Sequence, residues 1–128
     1  MFVLTTSVYV IVRHHYTLLI RRSATDPTKP NWWEVPGGHV DIASGIGDER
    51  ILRQEALREL EEEAGIKASP SQLREIDLSK DFSHKTYALD LSSKPAVRLS
   101  KEHDKFMWWE PNRPFPSPIR PQVVEKLG

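Results

Sequence analysis

Residues 48–65 read DERILRQEALRELEEEAG, and this segment carries the strongest helical pattern in the chain. Its interior contains neither glycine nor proline, so nothing in it interrupts helical hydrogen bonding. Asp48 can accept a hydrogen bond from the free amides at a helix start, and Gly65 can adopt the left-handed conformation that ends a helix. The segment therefore predicts a helix that begins after Asp48 and ends before Gly65.

The side chains of this helix separate into two faces at 100° per residue. Leu57, Leu60 and Ala64 share one face, which we expect to pack on the core. Four glutamates fall within an arc of about 100° on the opposite side; they are Glu55, Glu59, Glu62 and Glu63. Because carboxylates spaced four residues apart repel one another, this concentration costs helix stability unless something offsets it.

Two explanations of this acidic face are open at this point. In the first it is an ordinary solvated surface whose repulsion is relieved by Arg53, Arg58 and Lys67. In the second the carboxylates bind a hard divalent cation, which prefers oxygen ligands. The Pro36-Gly37-Gly38 segment upstream favours the second explanation, because a rigid turn there could direct a backbone carbonyl to the same side.

Apolar and β-branched stretches on both sides of the helix predict strands. Before the helix they lie at 1–12, 16–22 and 32–35. Residues 13–15 are expected to form a hairpin turn, and 23–31 and 39–47 to form loops, since these segments collect polar residues, proline and glycine. After the helix, strands are predicted at 73–78, 87–91, 97–99 and 106–109, followed by an irregular crossing at 111–121 and a short helix at 122–127. This order predicts an α+β domain with a mixed sheet.

Length and composition limit the possible classes of protein. With 128 residues, 38% of them hydrophobic, we expect residues 1–128 to form a single domain around one core. Eighteen basic and eighteen acidic residues cancel, which leaves no overall positive field for nucleic acid or an anionic membrane. The absence of cysteine excludes disulfide scaffolds, thiol nucleophiles and cysteine-ligated zinc. The N-terminal apolar run ends at Arg13, too early to cross a bilayer, and we expect a cytoplasmic protein.

The segment around the acidic face resembles the signature of the Nudix hydrolases, G-x5-E-x7-R-E-U-x-E-E-x-G-U, in which U is a bulky aliphatic residue. Residues 58–66, RELEEEAGI, match its second half at every specified position. The strands and the Pro-Gly-Gly segment before the helix are also similar to the family. Residues 102–108, EHDKFMW, resemble the E-H…W segment of family members that act on nucleotides. The resemblance extends over residues 3–110.

The first half of the signature matches only in part. Gly38 lies twenty residues before Arg58 instead of fourteen, so six extra residues separate them. The position of the first glutamate holds Arg50, with Glu49 beside it, and an arginine there would repel Arg58 instead of pairing with it. Glu55, three residues before Arg58, can reach it on a helix, whereas Glu49 lies about 180° away. We therefore expect Glu55 to be the partner of Arg58.

The resemblance implies both a fold and an activity. The fold would be the Nudix α/β/α sandwich, a mixed, partly antiparallel sheet with the signature helix packed on it. The activity would be hydrolysis of a pyrophosphate bond in a nucleoside diphosphate linked to another group, with Mg²⁺ or Mn²⁺ as cofactor. Nucleoside triphosphates or dinucleoside polyphosphates are favoured as substrates. We expect a monomer or homodimer whose partner is a small nucleotide, without nucleic acid or membrane.

The resemblance also implies roles for individual residues. The metal ligands would be carboxylates and a backbone carbonyl, from Gly37, Gly38, Glu59, Glu62 and Glu63. Arg58 would brace the carboxylates through charge-assisted hydrogen bonds. Glu59 and Glu102 are both candidates for the general base, since either could orient or deprotonate the attacking water. Glu102 could equally be an exposed loop acid.

Other interpretations stay open. His39 and His103 have no ligand partner at a recognisable spacing, and we expect both in turns. Arg21 or Arg22 could contact a substrate phosphate, because one of them lies where family members often have an arginine. The incomplete first half of the signature favours a non-catalytic nucleotide-binding or regulatory module on the same fold, whereas the intact second half argues for catalysis. A third possibility is an interaction domain without a ligand.

Overall fold

Two α-helices and seven strands make up the regular structure within residues 4–40, 48–81 and 83–128, the part of the chain that this computed structural model describes. The strands are β1 (Leu4–Val12), β2 (Tyr16–Arg22), β3 (Trp33–Glu34), β4 (Gly37–Val40), β5 (Leu73–Leu78), β6 (His84–Leu91) and β7 (His103–Trp109). The helices are α1 (Glu49–Ala64) and α2 (Pro121–Leu127). None of the helices in these ranges is both long enough and apolar enough to cross a membrane.

The sheet is mixed, as the sequence predicts. Its strand order is β3-β2-β1-β6-β5, with β4 also paired to β1 and β7 also paired to β2. β1 and β6 run parallel, with Val8 opposite Tyr87, whereas the other paired strands are antiparallel. The central strand β1 therefore pairs with β2, β4 and β6. This arrangement places β4 close to Arg22, at the end of β2.

Alternation along β1 separates two buried layers. Val8 and Val10 pack with Leu60 of α1 on one face of the sheet. Tyr9 packs with Val123 of α2 on the other face. Because successive side chains of a strand point to opposite faces, the sheet lies between the two helices. The α+β class and the Nudix α/β/α sandwich expected from the sequence are confirmed.

Helix α1 has the ends that its sequence predicts. The Asp48 side chain accepts a hydrogen bond from the Arg50 amide, and Gly65 adopts φ +70°, with its amide donating to the Glu61 carbonyl. The buried face is wider than the apolar pattern indicated, because Glu63 is only 6% exposed. The prediction that all four glutamates lie opposite the core is therefore wrong at Glu63, which turns towards β4.

The Pro-Gly-Gly segment is not a turn. Gly37 and Gly38 belong to β4 and pair with Ser7 and Thr6 of β1. A Cβ on Gly37 would stand 2.1 Å from the Thr6 carbonyl oxygen, so the two backbones approach closely at a residue without a side chain. His39 and Val40, predicted to begin a loop, belong to β4, and the rest of that predicted loop, residues 41–47, lies outside the described residues.

The segment after β6 differs from its prediction. Residues 97–99 do not form a strand, because the Arg98 amide donates to the Ala64 carbonyl at the end of α1, at 2.8 Å.

β6 and β7 also begin three residues earlier than predicted, at His84 and His103. His39 and His103 therefore lie in strands, and the prediction that they occupy turns is wrong.

Candidate metal centre and active site

A cleft of about 330 Å³ opens beside α1, and its walls come from distant parts of the sequence. It is lined by Arg22 from β2, by Gly37, Gly38 and His39 from β4, by Glu59, Glu62 and Glu63 from α1, and by Ser100 and Glu102 before β7. A larger hollow of about 470 Å³ beside Gly65–Lys67 and Leu91–Ala96 has no acid or histidine in its lining. The acidic cleft is therefore the candidate site.

Glu63 is the most deeply buried carboxylate of the cleft, at 6% exposure. Its Oε1 accepts a hydrogen bond from the Gly37 amide at 2.9 Å, which fixes the side chain against β4. Burial raises the pKa of Glu63 to about 8; the Gly37 hydrogen bond opposes this rise, and the nearby Glu34, Glu59 and Glu102 add to it. The raised pKa of Glu63 therefore reflects mainly its burial, with a smaller contribution from the neighbouring carboxylates.

Glu59 packs directly against the glycine of β4 that precedes His39. A Cβ built on Gly38 would lie 2.6 Å from the Glu59 carboxyl carbon, so only glycine leaves room for this carboxylate. Burial raises the pKa of Glu59, the positive charge of Arg58 opposes the rise, and Glu62 and Glu102 contribute to it. The close approach of Gly38 and Glu59 explains why β4 and α1 share one wall of the cleft.

Arg58 joins three carboxylates of α1. Its guanidinium donates to Glu55 at 2.6 Å, to Glu59 at 2.9 Å and to Glu62 at 3.0 Å. These hydrogen bonds raise the pKa of Arg58, and the bond to Glu55 has the largest effect; partial burial acts in the opposite direction. The partner expected from the sequence, Glu55, is the one observed. Arg58 does not itself line the cleft, but it holds Glu59 and Glu62, which do.

Glu49 contacts a different set of residues. Its Oε1 accepts hydrogen bonds from Arg53 Nε at 3.0 Å and from the Tyr87 hydroxyl at 2.8 Å, and Lys85 Nζ lies 3.8 Å from its Oε2. These contacts connect the first turn of α1 to β6. Arg50 is exposed, with its guanidinium 3.9 Å from Asp48. The arginine at the nominal glutamate position therefore does not contact Arg58.

The segment before β7 brings a fourth carboxylate to the cleft. Single ligand atoms of Glu63, Glu102 and His103 all lie within 4.8 Å of one another. The Glu102 side chain is exposed to the cleft, while its backbone carbonyl accepts from the Ser23 amide at 2.8 Å. Glu102 is therefore not an isolated loop acid, because the fold places it beside the buried carboxylate of α1.

Glu34, His103 and Arg22 form a buried ionic cluster beside the cleft, which the sequence did not predict. Glu34, 8% exposed, contacts His103 Nε2 at 2.9 Å and Arg22 Nε at 3.2 Å. Arg22 also donates to Asp26 at 2.9 Å, whereas Arg21 pairs with Asp104, outside the cleft lining. One feature of the sequence could have indicated this cluster. Glu34 lies between Trp33 and Val35, in a predicted strand whose alternating pattern indicates partial burial.

The predicted site residues thus lie together in space. Gly37, Gly38, Glu59, Glu62, Glu63 and Glu102 all line the cleft, and Arg58 contacts two of them. His39, expected in a turn, also lines it. Such a convergence of oxygen donors can bind a hard cation, and Arg22 can contribute positive charge towards an anionic ligand.

Comparison with known proteins identifies relatives of this chain. The m7GpppN-mRNA hydrolase NUDT17 of Danio rerio is 43% identical over 56 residues, a match that covers 44% of this chain but only 17% of that protein. The MutT NUDIX hydrolase of Burkholderia pseudomallei has a TM-score of 0.68 at 21% identity, covering 99% of this chain and 96% of that one. An Ap4A hydrolase of C. elegans has a TM-score of 0.59 at 27% identity, covering 83% and 79%. The family model of the NUDIX domain matches residues 1–125, and the chain accordingly belongs to the Nudix family.

Proposed function

We propose that this protein is a divalent-metal-dependent hydrolase that cleaves a pyrophosphate bond in a nucleoside-diphosphate-linked substrate. The observation that carries the proposal is the convergence of four carboxylates, from α1 and from the segment before β7, on one cleft that Arg22 also lines. Membership of the Nudix family supports the same class of reaction. Arg58 offsets part of the negative charge of Glu59 and Glu62, and a bound cation would offset more of the charge in the cleft.

The donors of the cleft fit Mg²⁺ or Mn²⁺. Both ions prefer oxygen ligands, and they are commonly held by a few carboxylates together with substrate phosphates. The pKa of Glu63, raised to about 8, reflects burial beside other acids, and a cation would relieve this unfavourable charge. Glu59, Glu62, Glu63 and Glu102 would bind the ion, together with a carbonyl of Gly37 or Gly38. When bound, the ion would neutralise charge that develops on the phosphate oxygens.

The surrounding residues would orient these groups. Arg58 holds Glu59 and Glu62 through its hydrogen bonds, and the Gly37 amide holds Glu63. Glu59 and Glu102 are the candidates to accept a proton from the attacking water, as both face the cleft. Partial burial raises the pKa of Glu59, which brings its basicity closer to that of a general base at neutral pH.

The favoured substrates are nucleoside triphosphates or dinucleoside polyphosphates. Two of the relatives are named as hydrolases of Ap4A and of m7GpppN-mRNA, and both names describe nucleosides joined through several phosphates. Arg22 lines the cleft and could contact a phosphate of such a chain. We further propose that residues 1–128 act as one domain on a small nucleotide.

A non-catalytic nucleotide-binding module is the alternative on the same fold. Its basis is the arginine at position 50, which removes the usual partner of Arg58. The contact between Arg58 and Glu55 weakens that argument, because Arg58 retains an anionic partner and still holds Glu59 and Glu62. We therefore favour the hydrolase.

A substrate panel tests the proposal. The protein is incubated with mixed nucleoside triphosphates, dinucleoside polyphosphates and ADP-ribose, with Mg²⁺ or Mn²⁺ and then with EDTA. We expect a nucleoside monophosphate product that EDTA abolishes. Glu63→Gln should remove it, whereas Glu61→Gln, an exposed acid of α1 outside the cleft lining, should not. Metal-stimulated nucleotide binding without turnover on any substrate would favour the non-catalytic module.

A further inference from the structure

We propose that His103 is a metal-ligating residue, so that the cation of the cleft is held by nitrogen as well as oxygen. This inference rests on the proposed function, because it concerns the same metal centre. The proposal adds a nitrogen donor, whereas the acidic helix and the glycines of β4 supply only oxygen. It therefore predicts which metal ions the protein prefers.

The first observation is the position of the imidazole. One ring nitrogen of His103 lies within 4.8 Å of carboxylate oxygens of both Glu63 and Glu102. The three residues come from α1, from the segment before β7 and from the first position of β7. Donors that share one ion through bonds of about 2.0–2.2 Å lie at most about 4.4 Å apart. Small side-chain rotations would therefore bring these three donors onto a single ion.

The second observation is that the histidine is buried with one nitrogen free. The side chain of His103 has no solvent exposure, and its Nδ1 has no hydrogen-bond partner among the described residues. A buried imidazole nitrogen without a protein partner is costly, and a ligand that takes its lone pair would remove that cost. This unpartnered atom distinguishes the site from a simple group of exposed acids.

The third observation is the role of Glu34. Its Oε2 lies 2.9 Å from His103 Nε2, and the carboxylate is buried beside Arg22. In the neutral tautomer whose Nε2–H donates to this carboxylate, Nδ1 keeps the lone pair that a metal ion needs. Histidines that bind metals commonly donate their second ring N–H to a carboxylate in this way, which fixes the tautomer and the ring orientation.

A nitrogen donor changes the preference for metal ions. Carboxylates suit Mg²⁺ and Mn²⁺, whereas imidazole binds later transition ions such as Co²⁺ more strongly. Replacing His103 should therefore weaken Co²⁺ binding more than Mg²⁺ binding. We expect the dissociation constant of Co²⁺ to rise about tenfold or more in His103→Gln, with that of Mg²⁺ changing less than about threefold. His14→Gln, at the exposed hairpin tip, is the matched control.

Calorimetric titration of the metal-free protein with Co²⁺ and with Mg²⁺ measures these constants without any substrate. A spectroscopic measurement covers the case in which His103→Gln does not fold. Pulsed EPR of the Mn²⁺-loaded wild-type protein should show coupling to a directly bound nitrogen, and labelling with ¹⁵N-histidine should change that coupling. In His39→Gln, which removes the histidine that lines the cleft, the coupling should persist.

The outcomes are separable. Three results would overturn the assignment of His103 and leave the hydrolase proposal intact. They are bound Mn²⁺ without a nitrogen coupling, loss of the coupling in His39→Gln, and equal weakening of Co²⁺ and Mg²⁺ binding in His103→Gln. Failure of the wild-type protein to bind any of these ions would overturn both.

Discussion

Arg58 Nε and Glu55 Oε2 lie 2.6 Å apart, one turn of α1 from each other. The same guanidinium donates through its two other nitrogens to Glu59 and Glu62, both on the wall of the cleft. Glu55 therefore anchors an arginine that orients two candidate ligands, although it does not line the cleft itself. This contact compensates for the arginine at position 50, where the family signature has a glutamate.

Glu55→Ala should lower activity more than it lowers stability. The Arg58 side chain is 48% exposed, so the pair contributes at most about 1 kcal/mol to folding. Loss of its anchor should nevertheless release Arg58 and reduce kcat/KM about tenfold. Steady-state kinetics and urea unfolding of the same variant measure the two effects.

Glu49→Ala is the contrasting variant. Its loss leaves the buried Tyr87 hydroxyl without its acceptor, which should cost about 1–3 kcal/mol of stability. Activity should change less than about twofold, because the contacts of Glu49 within the described ranges are to Arg53, Tyr87 and Lys85, none of which lines the cleft. The reverse pattern, with Glu49→Ala inactive and Glu55→Ala fully active, would show that Arg58 is oriented from elsewhere.

Gly38→Ala should displace Glu59 without unfolding the protein. The added Cβ would stand 2.6 Å from the Glu59 carboxyl carbon, at the end of a side chain that can move. We expect lower turnover and weaker metal binding with a nearly unchanged unfolding temperature. In Gly37→Ala the Cβ would instead meet the Thr6 carbonyl oxygen at 2.1 Å, and because backbone cannot yield in the same way, the unfolding temperature should fall. Circular dichroism and calorimetry distinguish the two variants.

Glu63→Gln should remove activity without destabilising the metal-free protein. The amide oxygen of glutamine can still accept from the Gly37 N–H, and a neutral side chain avoids the desolvation cost that burial imposes on a carboxylate. Turnover should fall about a hundredfold or more, because a cation needs the carboxylate. The unfolding temperature in EDTA should stay the same or rise. Near-full activity at saturating metal would remove Glu63 from the ligand set, and Glu62→Gln tests its neighbour in the same way.

Glu102→Gln tests the second candidate for the general base. If Glu102 accepts the proton, kcat should fall while the apparent substrate affinity changes little, and the pH–rate profile should lose its acidic limb. Glu125→Gln, at an exposed position of α2, provides the control. An unchanged rate across pH would leave Glu59 as the candidate.

His84 predicts a dependence of stability on pH that does not involve the cleft. Its ring contacts Thr5 Oγ1 at 2.5 Å and Ser7 Oγ at 2.9 Å, and burial, together with the charge of Arg120, lowers its pKa below 6.5. Because the folded state favours neutral His84, its contribution is complete above pH 6.5 and is lost as pH falls through the lowered pKa. Wild-type protein should therefore lose more stability than His84→Gln between pH 7 and 5, as measured by thermal unfolding. His14→Gln should follow the wild type.

Features that depend on residues close together in the chain could be predicted from the local pattern alone. Asp48 and Gly65 mark the ends of α1 because capping involves atoms within one turn. The Glu55–Arg58 contact follows from a three-residue spacing on a helix. The hairpin of β1 and β2, strand β5 and helix α2 were likewise predictable from local apolar pattern and turn residues.

The meeting of distant segments depends on long-range packing, which no local pattern predicts. Gly37 and Gly38 form a strand instead of a turn because β1 offers them a partner, and residues 97–99 form no strand because the Arg98 amide bonds to the end of α1. Glu34 and His103 are 69 positions apart, and no local periodicity relates them. Within the part of the chain that the structure describes, His103 Nδ1 has no hydrogen-bond partner. The burial of Glu34 and His103 and the position of Glu102 beside Glu63 arise from the pairing of β3 and β7 with β2, which brings chemically matched groups together from separate strands.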